Sequence, residues 1–224
     1  MEAIILAGGL GTRLKSVVKD LPKPMAPICD KPFLQYILEF CFKNGISNVV
    51  LAVSYRWEII KDYFSDNYKG IKLTYSVEDE PLGTGGAIKQ ALKYIGQKEC
   101  YIINGDTFFD IELKKMYLND AKICFALKEM REFERYGNVK VDNGCIVSFE
   151  EKSFCEKGYI NGGIYLLDKS IFDDFTLESK FSFEEFIEAN FKALKAKAII
   201  FDDYFIDIGI PEDYNKFIKK IKEQ

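Results

Sequence analysis

Two short segments near the start of the chain carry side chains suited to polyphosphate chemistry. The first, Leu6-Ala7-Gly8-Gly9-Leu10-Gly11-Thr12-Arg13-Leu14, offers flexible backbone amides at Gly8, Gly9 and Gly11, a Thr12 hydroxyl and the Arg13 guanidinium. Amides without a neighbouring Cβ can approach phosphate oxygens closely, and a guanidinium binds them bidentately. The loop lacks the G-x-x-x-x-G-K-[ST] order of a Walker A loop. It also has Leu14 where a dinucleotide fingerprint has its third glycine. The second segment, Leu21-Pro22-Lys23-Pro24-Met25, sets Lys23 between two prolines, which predicts an extended stretch and a positioned ammonium. Together these groups suit a triphosphate whose α-phosphorus is attacked.

The chain contains no histidine. That excludes Ser-His-Asp and Cys-His triads, a histidine general base and histidine-ligated zinc. Catalysis is left to carboxylates, Lys, Arg, Tyr, Cys, backbone amides or a metal held by oxygen. The net charge of −4, from 31 basic and 35 acidic residues, provides no global basic field for nucleic acid. The six cysteines are scattered without a C-x-x-C pair, and several lie in apolar runs, as small buried hydrophobes do. With a strand-like start at Ala3–Ala7 and no signal peptide, a reducing cytoplasm is expected. No apolar run approaches the ~20 residues a membrane span needs.

The elements that must position these groups follow from periodicity. A length of 224 residues with 48% hydrophobic content suits one large or two small domains with a substantial core. Strands are expected at Ala3–Ala7, Val49–Val53, Ile71–Tyr75 and Tyr101–Ile103, and helices at Pro32–Phe42, Trp57–Phe64 and Thr84–Tyr94. Continuous apolar strands alternating with helices indicate βαβ units and a mostly parallel sheet with helices on both faces, a Rossmann-like α/β fold. The second half reads as more antiparallel, with strands at Cys124–Leu127, Asn138–Val141, Ile146–Phe149 and Ile164–Leu167. Asp142-Asn143-Gly144 is a hairpin turn. Helices return at Ser182–Leu194, with Ser182 and Glu185 as a capping box, and at Pro211–Ile221. Residues 1–224 are read as one domain. Glycine clusters follow strands in three places: the first loop, the Gly83, Gly85 and Gly86 group, and Gly105. In an open α/β sheet the ligand crevice lies outside the carboxyl ends of the strands, so these turns are candidate ligand cradles.

The opening AIILAGGLGTRL followed by LPKPM resembles the signature of sugar-1-phosphate nucleotidylyltransferases. The resemblance continues through Glu80-Pro-Leu-Gly-Thr-Gly-Gly86, Asn104-Gly-Asp106, Tyr136-Gly-Asn138, Glu150-Glu-Lys152, Asn161-Gly-Gly163 and Phe205-Ile-Asp-Ile-Gly209. It covers roughly residues 2–215. It implies that an anionic sugar 1-phosphate attacks the α-phosphorus of a nucleoside triphosphate in line and displaces pyrophosphate. No general base is needed, and catalysis reduces to positioning and charge neutralisation.

By that resemblance Arg13 clamps the triphosphate, Lys23 bridges the α-phosphate and the incoming phosphate, and Lys152 binds the sugar phosphate. Asp106 and Asp207 match the family's magnesium carboxylates, and Mg2+ is the implied cofactor. The nucleotide is expected on Leu6, Ala7, Gly8, Gly9, Gly11, Thr12, Glu80, Gly83, Thr84 and Asp106. Glu80 is the candidate acceptor for the N1–H and amino group of guanine. The sugar phosphate is expected on Tyr136, Gly137, Glu151, Lys152, Asn161 and Gly162. The Glu80–Thr84 run resembles guanylyltransferases, so GTP is the expected donor. The length matches a bare catalytic domain without a C-terminal β-helix, most similar to members that act on D-glycero-D-manno-heptose 1-phosphate, with mannose 1-phosphate as close competitor. A uridylyl or thymidylyl transfer to another hexose 1-phosphate remains an alternative.

Two other classes fit less well. A glycosyltransferase with a related nucleotide-binding fold usually carries D-x-D after a strand, whereas Asp106 is followed by Thr107-Phe108-Phe109-Asp110. A non-catalytic relative tends to lose the Arg or the Lys, and both are present. Phe133 and Phe154 are candidates either for a homo-oligomer interface or for capping the core. No nucleic-acid or membrane partner is expected.

Overall fold

The computed structural model of the chain describes residues 1–9 and 21–223. Strand β1 (Glu2–Leu6) leads towards the glycine-rich loop, and a two-residue ribbon, β2 (Pro27–Ile28) and β3 (Lys31–Pro32), precedes helix α1 (Phe33–Lys43). Then come β4 (Asn48–Val53), α2 (Trp57–Phe64), β5 (Asn67–Tyr68), β6 (Ile71–Val77), α3 (Gly83–Ala91), β7 (Glu99–Asn104) and β8 (Thr107–Phe109). The second half contains β9 (Ile123–Phe133), β10 (Asn138–Asp142), β11 (Cys145–Glu150), β12 (Cys155–Asp168), α4 (Phe183–Asn190), β13 (Lys197–Phe201), β14 (Phe205–Asp207) and α5 (Pro211–Lys222).

Ten strands form one continuous sheet in the order β10-β11-β13-β9-β12-β7-β1-β4-β6-β5. Strands β7, β1, β4 and β6 are mutually parallel, as continuous apolar runs require when both faces are covered. Alternation in β1 shows the two-sided burial. Ala3 and Ile5 face a core packed by α1, α2 and α5, while Ile4 faces a core packed by α3 and α4. Chain order reverses between β1 and β7, and this switch point opens a crevice at their carboxyl ends. Gly105 sits there with its N–H donating to the Leu6 carbonyl at 3.0 Å. A Cβ on Gly105 would overlap that carbonyl, so the residue is glycine because two backbones touch.

The expected alternation holds; besides the short strands β2, β3, β5 and β8, which were not expected, four further differences appear. Strands β9 and β12 run well beyond Cys124–Leu127 and Ile164–Leu167, because their polar halves pair with each other outside the core. Strand β13 was not expected and lies parallel to β9. The helix expected to reach Leu194 ends at Asn190, and the turn after it uses Lys195 at φ 50 rather than a glycine. Lys23 lies in a 3-10 turn (Lys23–Met25) and not in an extended segment; Met25 N–H donates to Pro22 O and Ala26 N–H to Lys23 O. The Asn143-Gly144 hairpin turn joins β10 to β11 with φ of 48° and 76°, the left-handed pair of a type I′ turn. Ser182 Oγ accepts from the Glu185 N–H at 3.2 Å and caps α4. No described helix is long and apolar enough to cross a membrane. Phe133 is only 6% exposed and packs in the fold, whereas Phe154 is exposed.

Candidate active site

Two carboxylates and one ammonium meet beside the switch point. Asp106 sits in the two-residue turn between β7 and β8. Asp207 is brought to it by the antiparallel ribbon of β8 and β14, whose register sets Asp207 opposite Thr107. The Ile208 N–H donates to the Asp106 carbonyl at 2.9 Å and extends the ribbon by one bond. Lys23 Nζ lies 2.6 Å from Asp106 Oδ2, and its side chain is only 13% exposed. Burial raises the Asp207 carboxyl above its ordinary range and the Asp106 charge adds to this; Lys23, the Gly209 N–H at 2.7 Å and Arg135 act the other way. One ammonium beside two carboxylates leaves surplus negative charge among hard oxygen donors. The pair therefore fits a hard divalent cation that takes its remaining ligands from phosphate and water. Among the described residues there is no group of three or more metal-ligating side chains, so substrate oxygens would have to complete such a site.

Two cavities adjoin this cluster. The larger, about 940 Å³, is lined by Leu6 at the end of β1 with Gly8 and Gly9 beyond it, by Ser54 and Tyr55 after β4, by Glu78 and Asp79 after β6, and by Gly83 and Thr84 of α3. Lys23, Asn104, Gly105 and Asp106 form its inner end. Glu78 is the first residue beyond β6. Its Oε2 accepts from the Leu82 N–H at 2.9 Å, and burial raises its carboxyl above the usual range. Gly8 lies against it, since a Cβ there would stand 3.1 Å from Glu78 Oε1. Gly9 faces open space. The Thr84 hydroxyl accepts from Phe183 N–H at 2.8 Å and donates to Glu184 Oε2 at 2.7 Å, tying α3 to the start of α4.

The smaller cavity, about 400 Å³, lies on the other side of Asp106 and is lined by Tyr136, Gly137, Asn138, Glu150, Lys152, Asn161, Gly163 and Asp207, with Glu184, Ile187 and Glu188 from α4. Asn104, Asp106 and Glu184 border both cavities. The Tyr136 ring packs against Phe205 at 6.1 Å, and its hydroxyl is pushed up to about 12 by burial and the nearby Asp207 charge. Asn161 donates through Nδ2 to the Tyr165 hydroxyl at 2.7 Å and accepts from Gly163 N–H at 3.0 Å. Gly162 and Gly163 form a bulge in β12, where the pairing with β9 skips from Asn161 to Ile164. The bulge presents Gly163, at φ 71, to the cavity.

A nucleotidyl transferase family model matches residues 2–224. The chain belongs to that family. It is 64% identical over 219 residues, 97% of this chain and 99% of the relative, to the D-glycero-alpha-D-manno-heptose 1-phosphate guanylyltransferase of Campylobacter jejuni. The protein of the same name from Aneurinibacillus thermoaerophilus is 50% identical, with 99% of each chain covered. Among solved structures, HddC from Yersinia pseudotuberculosis complexed with GMP-PN superposes with a TM-score of 0.85 at 41% identity, covering 98% of this chain and 99% of that one.

This nucleotidyl transferase brings most of the expected residues to the two cavities and leaves some aside. Leu6, Gly8, Gly9, Lys23, Gly83, Thr84 and Asp106 line the larger cavity. Tyr136, Gly137, Lys152, Asn161 and Asp207 line the smaller. Gly11, Thr12 and Arg13 lie outside the described residues. Ala7 is buried and lines neither cavity. Glu80 is exposed and does not line the larger cavity; Glu78 and Asp79 do. Glu151 is exposed and its neighbour Glu150 lines the smaller cavity, where it accepts from Asn138 Nδ2 at 2.7 Å. Gly162 is buried against the Phe109 ring, and Gly163 takes its place on the wall. Gly85 and Gly86 are not ligand cradles either: they admit the 179–181 segment against α3, with Gly85 N–H donating to Phe181 O at 3.0 Å. Glu78 could have been found from the rule that crevice residues follow the carboxyl ends of parallel strands. Glu184 and Glu188 carry no such signal, because α4 joins the site only through tertiary packing.

Proposed function

We propose that this nucleotidyl transferase moves GMP from GTP to D-glycero-D-manno-heptose 1-phosphate, giving a GDP-sugar and pyrophosphate. The observation that carries the reading is the junction. A larger and a smaller cavity meet at Asp106, with Lys23 in the wall of the larger and Asp207 in the wall of the smaller. That is the layout a two-substrate transfer between phosphates requires. A phosphate oxygen of the sugar 1-phosphate bonds to the α-phosphorus of GTP, and the bond from that phosphorus to the bridging oxygen of the β-phosphate breaks. The nucleophile arrives ionised, so a chain without histidine lacks nothing the step needs.

In this reading Lys23 neutralises charge shared by the α-phosphate and the incoming phosphate. Lys152 binds the sugar phosphate from the smaller cavity. Arg13, outside the described residues, meets the charge of the departing pyrophosphate. Asp106 and Asp207 would hold Mg2+, which when bound supplies positive charge to the phosphate oxygens. The amides of Gly8 and Gly9 face the nucleotide. Glu78, which lines the larger cavity where Glu80 does not, accepts from the guanine N1–H and amino group. The two relatives named as heptose 1-phosphate guanylyltransferases support both substrates. Six free cysteines support a reducing, cytoplasmic setting.

The test crosses GTP, ATP, UTP and dTTP with heptose 1-phosphate and mannose 1-phosphate and follows pyrophosphate release. GTP with heptose 1-phosphate is expected to be fastest. UTP or dTTP outrunning GTP refutes the guanine assignment.

A further inference from the structure

We propose that Glu188 sets the choice of sugar by accepting a hydroxyl from the exocyclic chain of a heptose 1-phosphate. This rests on the function proposed above and deepens it. Five carboxylates line the smaller cavity, and four are engaged by the protein. Asp106 takes Lys23 and the Thr107 hydroxyl. Asp207 takes the Gly209 N–H. Glu150 takes Asn138 and Lys140. Glu184 takes the hydroxyls of Thr84 and Ser182. Glu188 lines the same cavity with no hydrogen bond or ion pair to any described residue.

Its position gives that vacancy a direction. Glu184 borders both cavities, so the first turn of α4 lies at the junction where the phosphates meet. Glu188 is one turn further along the same helix face, about 6 Å at 1.5 Å per residue, and borders only the smaller cavity. A sugar whose 1-phosphate sits at the junction extends its far end into the smaller cavity, which Glu188 borders. Ile187 and Val139 line the same cavity and offer no polar group to compete for a sugar hydroxyl there. A carboxylate can only accept, and the donors on offer are sugar hydroxyls. A heptose carries two hydroxyl-bearing exocyclic carbons and mannose carries one. A site built to bond a hydroxyl discriminates against the substrate that lacks it.

The experiment measures kcat/KM for heptose 1-phosphate and mannose 1-phosphate at saturating GTP in the wild type, Glu188→Gln and Glu188→Ala. Glu188 is exposed on a helix, and both replacements are good helix formers, so the fold is retained. The heptose-to-mannose ratio is expected to fall about 10- to 100-fold in Glu188→Ala and by less in Glu188→Gln, the range a hydrogen bond to a charged group spans. A ratio within about twofold of wild type in both variants, or equal losses on both sugars, overturns the inference alone. A wild type that uses mannose 1-phosphate and ignores heptose 1-phosphate overturns the inference together with the proposed substrate.

Discussion

Removing the Lys23 ammonium separates its part in the fold from its part in the reaction. Lys23 pairs with Asp106 at 2.6 Å, but the Asp106 side chain is 38% exposed. An ion pair with one partner that accessible is screened by water and contributes about 0–1 kcal/mol to stability. The 3-10 turn that carries Lys23 is held by backbone bonds from Met25 to Pro22 and from Ala26 to Lys23, which a substitution leaves in place. Lys23→Ala is therefore expected to shift the urea midpoint only slightly. The reaction is another matter. A preorganised cation aimed at charge that develops in the transition state is worth roughly two to four decades of rate, about 2.7–5.4 kcal/mol at 1.36 kcal/mol per decade. The assay is pyrophosphate release at saturating GTP and sugar 1-phosphate, beside urea unfolding of the same preparation. Turnover within threefold of wild type would refute the role given to Lys23. A loss of turnover matched by a loss of several kcal/mol in stability would refute the separation.

Three further outcomes are expected. Gly83→Ala combines a left-handed φ of 72° with a Cβ 2.5 Å from the Phe181 carbonyl, so it should cost about 2–4 kcal/mol in urea unfolding; a change under 0.5 kcal/mol would contradict the packing described. Burial alone would raise Asp168, but the Ser170 N–H and hydroxyl, with Lys122 and Lys98, outweigh it and hold the carboxyl below its ordinary value. A depressed folded pKa gives stability that is present above the unfolded value near 3.9 and lost as pH falls through the folded one. Asp168→Asn should thus cost about 1–2 kcal/mol at pH 7 with the gap narrowing below pH ~4, and a gap that widens in acid would reverse the assignment. Chelation of divalent metal should reduce pyrophosphate release to background with recovery on adding magnesium, and full activity in chelator would remove Asp106 and Asp207 from that role.

The parallel half of the fold was legible because burial on both faces leaves a continuous apolar signal. Val49–Val53 and Trp57–Phe64 stand where periodicity puts them. The longer halves of β9 and β12 were not legible, because hydrogen bonding between two polar strands needs no apolar residue. Strand β13 was hidden by its approach. The turn before it uses Lys195 in a left-handed conformation, so no glycine marks where the helix stops. The glycine-rich motifs were legible as motifs and only partly as mechanism. Gly8 and Gly9 do border the larger cavity, but Gly85 and Gly86 are small so that another segment of the chain can pass.

The carboxylate pair is the hardest part to read locally. Strands β8 and β14 are three residues each and far apart in the chain, and neither alone has enough pattern to reveal a partner. What joins Asp106 to Asp207 is their register, with Thr107 opposite Asp207. A slip of one residue would turn Asp207 to the opposite face of the ribbon and break the pair. Two bonds oppose that slip: the Ile208 N–H to the Asp106 carbonyl, and the Gly209 N–H to the Asp207 carboxylate itself. Ile208, the central residue of Asp207-Ile208-Gly209, is fully buried and acts through its backbone N–H, which any non-proline residue supplies. The side chain packs in the core, so it can change only among apolar residues of similar volume while the backbone bond that sets the register is kept.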